Sequence, residues 1–427
     1  MKEQKIYYQR IADKMLKEQL EAAGVVLIQG PKWCGKTTTA EQTAASIIYM
    51  DNPKKRIEYI LLAENDPELL LEGANPRLID EWQLAPSLWD AARFMVSHKS
   101  VPGQFIFTGS AVPADKKKIT HSGTGRFAWL TMRPMSLWES KESNGNVSMT
   151  DLFRGKAKAA MSPDKSLNDI AFSLCRGGWP GTLSLNPQAA LRQAINYVDA
   201  VCQNDISRVD NVERDKSFTH RLLRSYARLQ GAQAPISTIY ADLSNGKDSS
   251  MSEETITSYI NALKKIFVIE DMEAWSPNLR SKAAIRTSAT RYFVDPSIAA
   301  AAMGIGPNDL LNDLNSFGLL FETMAVRDLR IYADALDGQV FHYRDNNGLE
   351  CDAVVHLRNG SYALIEIKLG GEKLIEDGAK TLKKLSSKID ITRMKEPSFL
   401  MVLTAVGSYA YQREDGVFVV PISCLKD

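Results

Sequence analysis

Gly30-Pro31-Lys32-Trp33-Cys34-Gly35-Lys36-Thr37 reads G-x-x-x-x-G-K-T, and few motifs restrict the folding of a chain so tightly. The run before it, Gly24-Val25-Val26-Leu27-Ile28-Gln29, has the length and apolarity of a buried strand. The run after it, Thr38 to Ala45, reads as a helix. Strand, glycine loop and helix in that order form a phosphate-binding loop, in which backbone N–H groups turn inward around an anion. Lys36 is placed to reach the β- and γ-phosphates of a nucleotide, and the Thr37 hydroxyl to ligate Mg²⁺. The contact set is Gly30, Pro31, Lys32, Trp33, Cys34, Gly35, Lys36, Thr37 and Thr38. A glycine turn that binds nothing is the alternative, and the flanking elements argue against it.

A second segment agrees. Arg77-Leu78-Ile79-Asp80-Glu81 is an apolar strand ending in two carboxylates. Downstream of a phosphate loop, such an end places Asp80 beside Mg²⁺ and Glu81 where it can polarise an attacking water. Elsewhere an acidic pair of this kind usually caps a helix. Phe105-Ile106-Phe107-Thr108-Gly109-Ser110 is a further buried strand, and Thr108 or Ser110 could touch the γ-phosphate or the water. A plain strand-to-turn transition is the competing reading.

The length of 427 residues exceeds one ordinary domain. The 52 basic and 51 acidic residues nearly cancel, so global charge gives no footprint of a nucleic-acid binder. No apolar run approaches the roughly 18 residues of a membrane span. Met1-Lys2-Glu3-Gln4-Lys5 lacks an apolar signal core, so a cytoplasmic protein is expected. Cys34, Cys175, Cys202, Cys351 and Cys424 are scattered without a C-x-x-C pair, which argues against structural zinc and for reduced thiols. Cys34, inside the loop, is either oxidation-sensitive or a silent filler.

The spacing of Ile6, Ile11, Met15, Leu16 and Leu20 predicts an amphipathic helix over residues 6–23. Short apolar strands then alternate with helices to residue 139, the pattern of a parallel sheet covered on both faces. A polar stretch to residue 167 reads as a linker or poorly ordered loop. Mostly helical sequence follows, broken by Gly177-Gly178-Trp179-Pro180, and its helices followed by a hairpin suggest a winged helix. From residue 316 the pattern becomes a helix (Phe317 to Ile331), strands near 340–344, 350–357 and 361–369, a basic helix near 373–388, and the strand Phe399 to Leu403.

That last region carries a second constellation. Glu350-Cys351-Asp352 opens one strand, and Ile365-Glu366-Ile367-Lys368 closes the next. An Asp and a Glu-x-Lys on adjoining strands can hold a divalent cation through Asp352 and Glu366, while Lys368 steadies a water or a scissile phosphate. Glu322, on the preceding helix, adds a third carboxylate. Register tests the idea. A two-residue turn at Asn359-Gly360 pairs Asp352 with Ile367 and sends Asp352 to the face opposite Glu366. A three-residue turn through Ser361, or one bulge, restores a common face with Asp352 near Lys368.

These residues together resemble a prokaryotic family in which an AAA-type ATPase domain is fused to a C-terminal domain of the DUF4143 type. Over residues 6–140 the likeness is carried by Gly30–Thr37, Leu78–Glu81, Thr108-Gly109-Ser110, Gly123-Thr124-Gly125-Arg126 and Met132-Arg133-Pro134-Met135-Ser136. Over 175–370 it is carried by Gly177-Gly178-Trp179-Pro180, Asp205-Ile206, Trp275-Ser276-Pro277, Phe293-Val294-Asp295-Pro296, Phe321-Glu322, Glu350-Cys351-Asp352 and Glu366-Ile367-Lys368. Lys32-Trp33 stands where an Arg pair is common, and Cys351 where Val is usual; neither change removes a catalytic group.

The resemblance implies an α/β chain: a P-loop parallel-sheet ATPase domain over 1–140, a linker or loop over 141–167, a helical, winged-helix-like region over 168–300, and a restriction-endonuclease-like α/β domain over 301–427. It makes Arg126 an arginine finger or sensor, against the alternative of a strand-edge arginine. The implied function is Mg²⁺-dependent ATP binding and hydrolysis, coupled to a nuclease-like domain that cleaves or binds DNA or RNA. The alternative is an ATP-dependent switch or protein-interaction ATPase whose nuclease-like domain is inactive. A finger-type ATPase often completes its site with a neighbour's arginine, which implies a homo-oligomer.

Overall fold

The computed structural model describes residues 6–99, 101–110, 122–210, 212–244, 252–277 and 288–427. The expectation drawn from Met1–Lys5 therefore lies outside the described residues. The chain divides into two compact units, the first comprising Met1–Pro134, Gln203–Arg214 and Asn261–Phe267, the second Met135–Cys202, Asp215–Ile260 and Val268–Asp427.

The first unit is built on a five-stranded parallel sheet. Its elements are α1 (Ile11–Ala22), β1 (Val25–Gln29), α2 (Lys36–Glu41), β2 (Ser46–Tyr49), α3 (Arg56–Asn65), α4 (Pro67–Leu71), β3 (Arg77–Asp80), α5 (Ser87–Lys99), β4 (Phe105–Gly109) and β5 (Phe127–Thr131). The strand order is β2-β3-β4-β1-β5. Alternate residues of β1 serve opposite faces, as the two-residue period of a strand requires. Val26 and Ile28 pack with Leu16 and Leu20 of α1 and Ala40 of α2. Val25 and Leu27 pack with Trp82, Leu88, Trp89, Phe105, Phe107 and Phe127. The sheet is thus covered on both sides, as its near-continuous apolar strands imply.

The leading helix is shorter than the expected 6–23. It begins only at Ile11, and Ile6 is largely exposed. Arg10 ends the preceding segment in extended conformation, and its N–H donates to Asp13 Oδ2 at 2.9 Å. The first helical turn is capped there, so apolar periodicity upstream of it has no helix to join.

The second unit begins with β6 (Val147–Ser148), α6 (Met149–Phe153) and β7 (Ala160–Met161). Residues 141–167 are therefore not the linker or loop that their polarity suggested. β6 pairs in parallel with β14 (Leu425–Lys426), β7 pairs with β12 (Tyr409–Gln412), and Val147, Met149 and Leu152 are buried. Three apolar side chains and the buried Ser143 and Ser148 anchor a stretch that is mostly polar in composition, which is why composition misled.

Helices α7 (Leu167–Arg176), α8 (Pro187–Ala200), α9 (Ile206–Arg208), α10 (Lys216–Arg228), α11 (Ile236–Ser244) and α12 (Glu253–Lys265) follow. The antiparallel bridges Ile269–Phe293 and Met272–Thr290 lie beyond them. Helices α13 (Pro296–Met303), α14 (Pro307–Asn312) and α15 (Leu314–Asp334) then lead into the strands β8 (Gly338–Arg344), β9 (Glu350–Leu357) and β10 (Tyr362–Lys368). Helix α16 (Glu372–Lys388), β11 (Phe399–Thr404), β12 and β13 (Phe418–Pro421) complete a mixed sheet in the order β7-β12-β13-β11-β10-β9-β8. β8, β9 and β10 form an antiparallel meander, whereas β10–β11 and β11–β13 are parallel. One face of this sheet packs Val354, Tyr362, Leu364 and Val402 against Ala379, Leu382 and Leu385 of α16.

Candidate functional sites

The phosphate loop leaves the C-terminal end of β1 and returns into α2. Gly30 has φ 153°, and a Cβ there would lie 2.0 Å from the Met132 carbonyl oxygen, so only glycine fits. Gly35 takes φ 101° at the entry to α2. Cys34 is buried and its thiol donates to Met132 O at 3.4 Å, the packing role of a filler. Thr38 lies in the first turn of α2, its carbonyl accepting from Gln42 Nε2 at 3.1 Å. Lys36 is folded back into the loop, with Nζ 2.7 Å from the Pro31 carbonyl and 3.0 Å from that of Gly30.

β3 and β4 deliver the polar groups that face this loop. Asp80 Oδ1 accepts from Thr37 Oγ1 at 2.7 Å and from Thr108 Oγ1 at 2.5 Å. Because β4 lies between β1 and β3, Thr108 stands between the loop and Asp80. Burial pushes the Asp80 carboxyl up, against the two hydroxyl bonds that hold it down. Burial, joined by repulsion from Asp80, likewise raises Glu81. Glu81 sits at φ 55°, ψ 42°, a left-handed conformation unusual for a side chain of its size. Its carboxylate accepts from Gln83 Nε2. A buried carboxyl raised in this way beside Asp80 is of the kind that can serve as a general base. The hydroxyl of Thr37 and the carboxylate of Asp80 are hard oxygen donors side by side, the donor set that suits Mg²⁺.

Arg126 is placed elsewhere. β5 runs parallel to β1 with Val25 opposite Phe127 and Gln29 opposite Thr131. Arg126 therefore precedes its strand at the edge opposite the one from which Gly30 departs. Arg126 is level with Gly24, and at about 3.3 Å per residue the six positions from Gly24 to Gly30 separate those edges by roughly 20 Å. Arg126 is exposed there and donates to Ser97 Oγ at 3.2 Å. Arg126 thus lies away from this chain's own phosphate loop.

Arg10 was not singled out in the sequence, yet it braces the loop. Its buried guanidinium donates to the Cys34 carbonyl at 2.6 Å and the Arg133 carbonyl at 2.8 Å. Gln83, which orients Glu81, was also missed. Neither residue belongs to a local pattern that would have pointed to it.

In the second unit, the β9–β10 turn decides the geometry. Tyr362 pairs with His356 and Ile365 with Ala353, so the loop is Arg358-Asn359-Gly360. It contains three residues, as a shared site required, but it begins one residue earlier than the turn through Ser361. Gly360 N–H donates to Leu357 O at 3.0 Å, and Gly360 takes φ 80°. Continued by one step, this register sets Asp352 opposite Glu366. β9 is also bulged. Between the pairs Phe341–Val354 and Tyr343–Cys351 it carries one residue more than β8. Cys351 and Val354 consequently share one core cluster, and the intervening Asp352 is re-aimed. Asp352 Oδ2 takes the Ile367 N–H at 2.7 Å.

Lys368 then joins the carboxylates, with Nζ 3.0 Å from Asp352 Oδ2 and 2.7 Å from Glu366 Oε2. Glu366 is 4% exposed and its other oxygen, Oε1, is buried without a hydrogen-bond partner. Burial and then repulsion from Asp352 push Glu366 up to about 8. The same causes push Glu322, on α15, up to about 8. Burial acts to lower Lys368, but the two carboxylates outweigh it and hold the ammonium well above the ordinary amine range. Tyr292 donates its hydroxyl to Glu322 Oε1, a contact that sequence reading did not find. An orphaned carboxylate oxygen beside crowded acids fits a divalent cation. Among the described residues, no group of three or more His, Cys, Asp or Glu side chains is arranged to hold a metal, so a cation here would rest on fewer protein ligands. Also among the described residues, no helix is long and apolar enough to cross a membrane.

Family comparisons match three successive stretches of the chain. Residues 22–141 match the AAA domain, 167–309 a domain of unknown function termed DUF8612, and 317–425 the domain of unknown function DUF4143. The likeness to DUF4143 thus begins much later than residue 175, and the helical stretch before it matches a different model. Uncharacterised proteins of Mycobacterium tuberculosis and Mycobacterium bovis are each 24% identical over 367 residues, covering 84% of this chain and 73% of the relative. Among solved structures, a Walker-type ATPase of Pyrococcus abyssi is 14% identical with TM-score 0.42, covering 69% of this chain and 96% of its own. The ORC2 protein of Aeropyrum pernix, solved in ADPNP–ADP complexes, is 13% identical with TM-score 0.30, covering 71% and 93%. Neither likeness is close enough to transfer a residue role.

Proposed function

We propose that the first unit binds and hydrolyses ATP with Mg²⁺. The observation that carries this reading is the convergence of the Thr37 and Thr108 hydroxyls on one carboxylate oxygen of Asp80, beside a phosphate loop and next to Glu81. Lys36 would exchange its loop carbonyls for phosphate oxygens, and loop N–H groups would cradle the phosphates. Thr37 and Asp80 would hold Mg²⁺, which supplies charge neutralisation on the β- and γ-oxygens when bound. Glu81 would orient and deprotonate the attacking water. ATP binding and phosphate release, measured for the parent chain, Lys36→Ala and Glu81→Gln, test this. A parent chain that binds no nucleotide, or a folded Lys36→Ala chain that binds it equally well, would overturn the reading.

For the second unit we infer a nuclease-like site, restriction-endonuclease-like in its order of helix, three-stranded meander, helix and parallel strand. The orphaned Oε1 of Glu366 beside Asp352 and Lys368 favours it. Asp352 and Glu366 would hold a divalent cation, Lys368 would position water or a scissile phosphate, and Glu322 would act as a third carboxylate. DNA or RNA is the proposed substrate, or the proposed partner if the unit only binds. Cleavage of several DNA and RNA forms with Mg²⁺ or Mn²⁺, with and without ATP, decides between these and against an interaction ATPase with no nucleic acid. The boundaries 1–140, 141–167, 168–300 and 301–427 are kept only as a functional division, with the cytoplasm as the proposed site of action and a homo-oligomer as the form that would let Arg126 reach a neighbour.

A further inference from the structure

The phosphate loop holds a second lysine, counted in the contact set above but given no role of its own there. Lys32 lies midway between Gly30 and Gly35, and its Nζ is 2.5 Å from Asp205 Oδ1. The Asp205 side chain is 13% exposed and that of Lys32 49%. Asp205 is 173 residues away in sequence, at the last position of a π-helical turn, Val201–Asp205, that follows α8. Such turns are uncommon and concentrate at functional sites. The neighbouring Trp33 has φ 71°, a bulky residue in a conformation that costs energy and persists only where the surroundings impose it.

One observation ties Lys32 to the nucleotide side of the loop. Its charge is among those acting on the Glu81 carboxyl, so it lies within electrostatic reach of the group expected to handle the water. Its companion Lys36 is likewise tied to protein oxygens, those of Gly30 and Pro31. Both loop cations therefore rest on partners that phosphate oxygens, more highly charged and equally hard, can displace.

We propose that Lys32 is a second phosphate-binding cation, that Asp205 is its resting counter-ion, and that the terminal phosphate of ATP competes with Asp205 for it. ADP lacks that phosphate and leaves the pair closed, so the pair discriminates between the two nucleotides. The exchange also has an outlet. Gln203–Arg214 belongs to the first unit yet joins α8 to α10, both assigned to the second. Release of Asp205 frees the chain segment that leads into both helices. This inference rests on the ATP-binding reading.

The test is equilibrium binding of fluorescent ATP and ADP analogues, with Mg²⁺, to the full chain and to Asp205→Asn, Lys32→Gln and the double variant. A half-exposed ion pair is worth a few-fold in affinity, so Asp205→Asn should tighten ATP by about three- to fivefold and leave ADP unchanged. Lys32→Gln should weaken ATP selectively, and in that background Asp205→Asn should do nothing. An unchanged ATP-to-ADP ratio in Asp205→Asn, or the same change in both backgrounds, means a fixed structural pair and overturns the proposal. Should Asp205→Asn not fold, Lys32→Gln decides alone: retained ATP preference overturns it. A parent chain that binds neither nucleotide sinks the ATP reading itself; a parent that binds both, with variants that do not differ, sinks only the role of Asp205.

Discussion

The ammonium of Lys368 lies 2.7 Å from Glu366 Oε2 while the other oxygen of that carboxylate has no partner. One cation is shared by two acids, with Glu322 adding a third acid to the field. The local balance is therefore short of positive charge, and pH and divalent cations should both act on it.

The pH dependence has a definite sign. Glu366 and Glu322 move from the ordinary 4.5 to about 8 in the folded chain, chiefly through burial. Their contribution to stability is full below the unfolded value and is lost as pH rises through the folded one, because the unfolded chain releases these protons first. Thermal unfolding of the full chain should show a transition that falls between about pH 4.5 and 8. Mg²⁺ or Mn²⁺ should raise that transition most at the alkaline end. Glu366→Gln should flatten the pH slope, and Asp352→Ala should erase the cation effect. A transition that rises with pH over this range would contradict the burial of these acids.

Lys36 and Glu81 should separate binding from turnover. Lys36→Ala removes a direct phosphate contact and should abolish or severely weaken ATP binding. Glu81→Gln keeps the shape and loses the base, so binding should persist while hydrolysis falls by roughly 10²–10⁴-fold. Titration calorimetry and a phosphate-release assay on the same preparations check both. Parent-rate hydrolysis by Glu81→Gln would assign the water to another group.

Arg126→Ala should bind ATP as the parent chain does, since Arg126 lies at the far edge of the sheet from Gly30. Any loss of turnover must then act through a neighbouring copy, and mixing with Lys36→Ala protein should restore it. Weaker ATP binding by Arg126→Ala alone would show that the residue reaches its own site after all.

The fate of these residues shows what the sequence could and could not disclose. Lys36, Thr37 and Asp80 were legible because each is fixed by its position at the end of a strand or the start of a helix. Arg126 was legible too, had its side of the strand been weighed: it precedes Phe127, whereas Gly30 follows Gln29, and parallel strands put those points at opposite edges. The roles of Arg10 and Asp205 were not legible, because their partners Cys34 and Lys32 lie 24 and 173 residues away and only packing brings them close. Residues 141–167 failed for another reason. Their anchoring depends on pairing with Leu425–Lys426 and Tyr409–Ala410, which no local composition reports.

The turn between β9 and β10 gives the last prediction. Its three residues, Arg358-Asn359-Gly360, are what bring Asp352 and Glu366 into register. Side chains alternate faces with a period of two, so a loop shortened by one residue must either flip one strand's face or strain the turn. Tyr362 and Leu364 are buried against α16 and β10 is also paired with β11, which opposes flipping β10. Deleting Asn359 should therefore shift β9, pair Asp352 with Ile367 and part it from Lys368. The deletion variant should keep ATP binding, lose stabilisation by Mg²⁺ or Mn²⁺, and unfold more easily. Gly360→Ala is the milder control. Nothing lies within 4 Å of a Cβ at that position, so only the left-handed backbone is penalised, by about 1 kcal/mol. It should lower the unfolding temperature slightly and leave the cation effect intact. Retained cation stabilisation in the deletion variant would mean that the bulge at Asp352, rather than the turn, sets the geometry of the site.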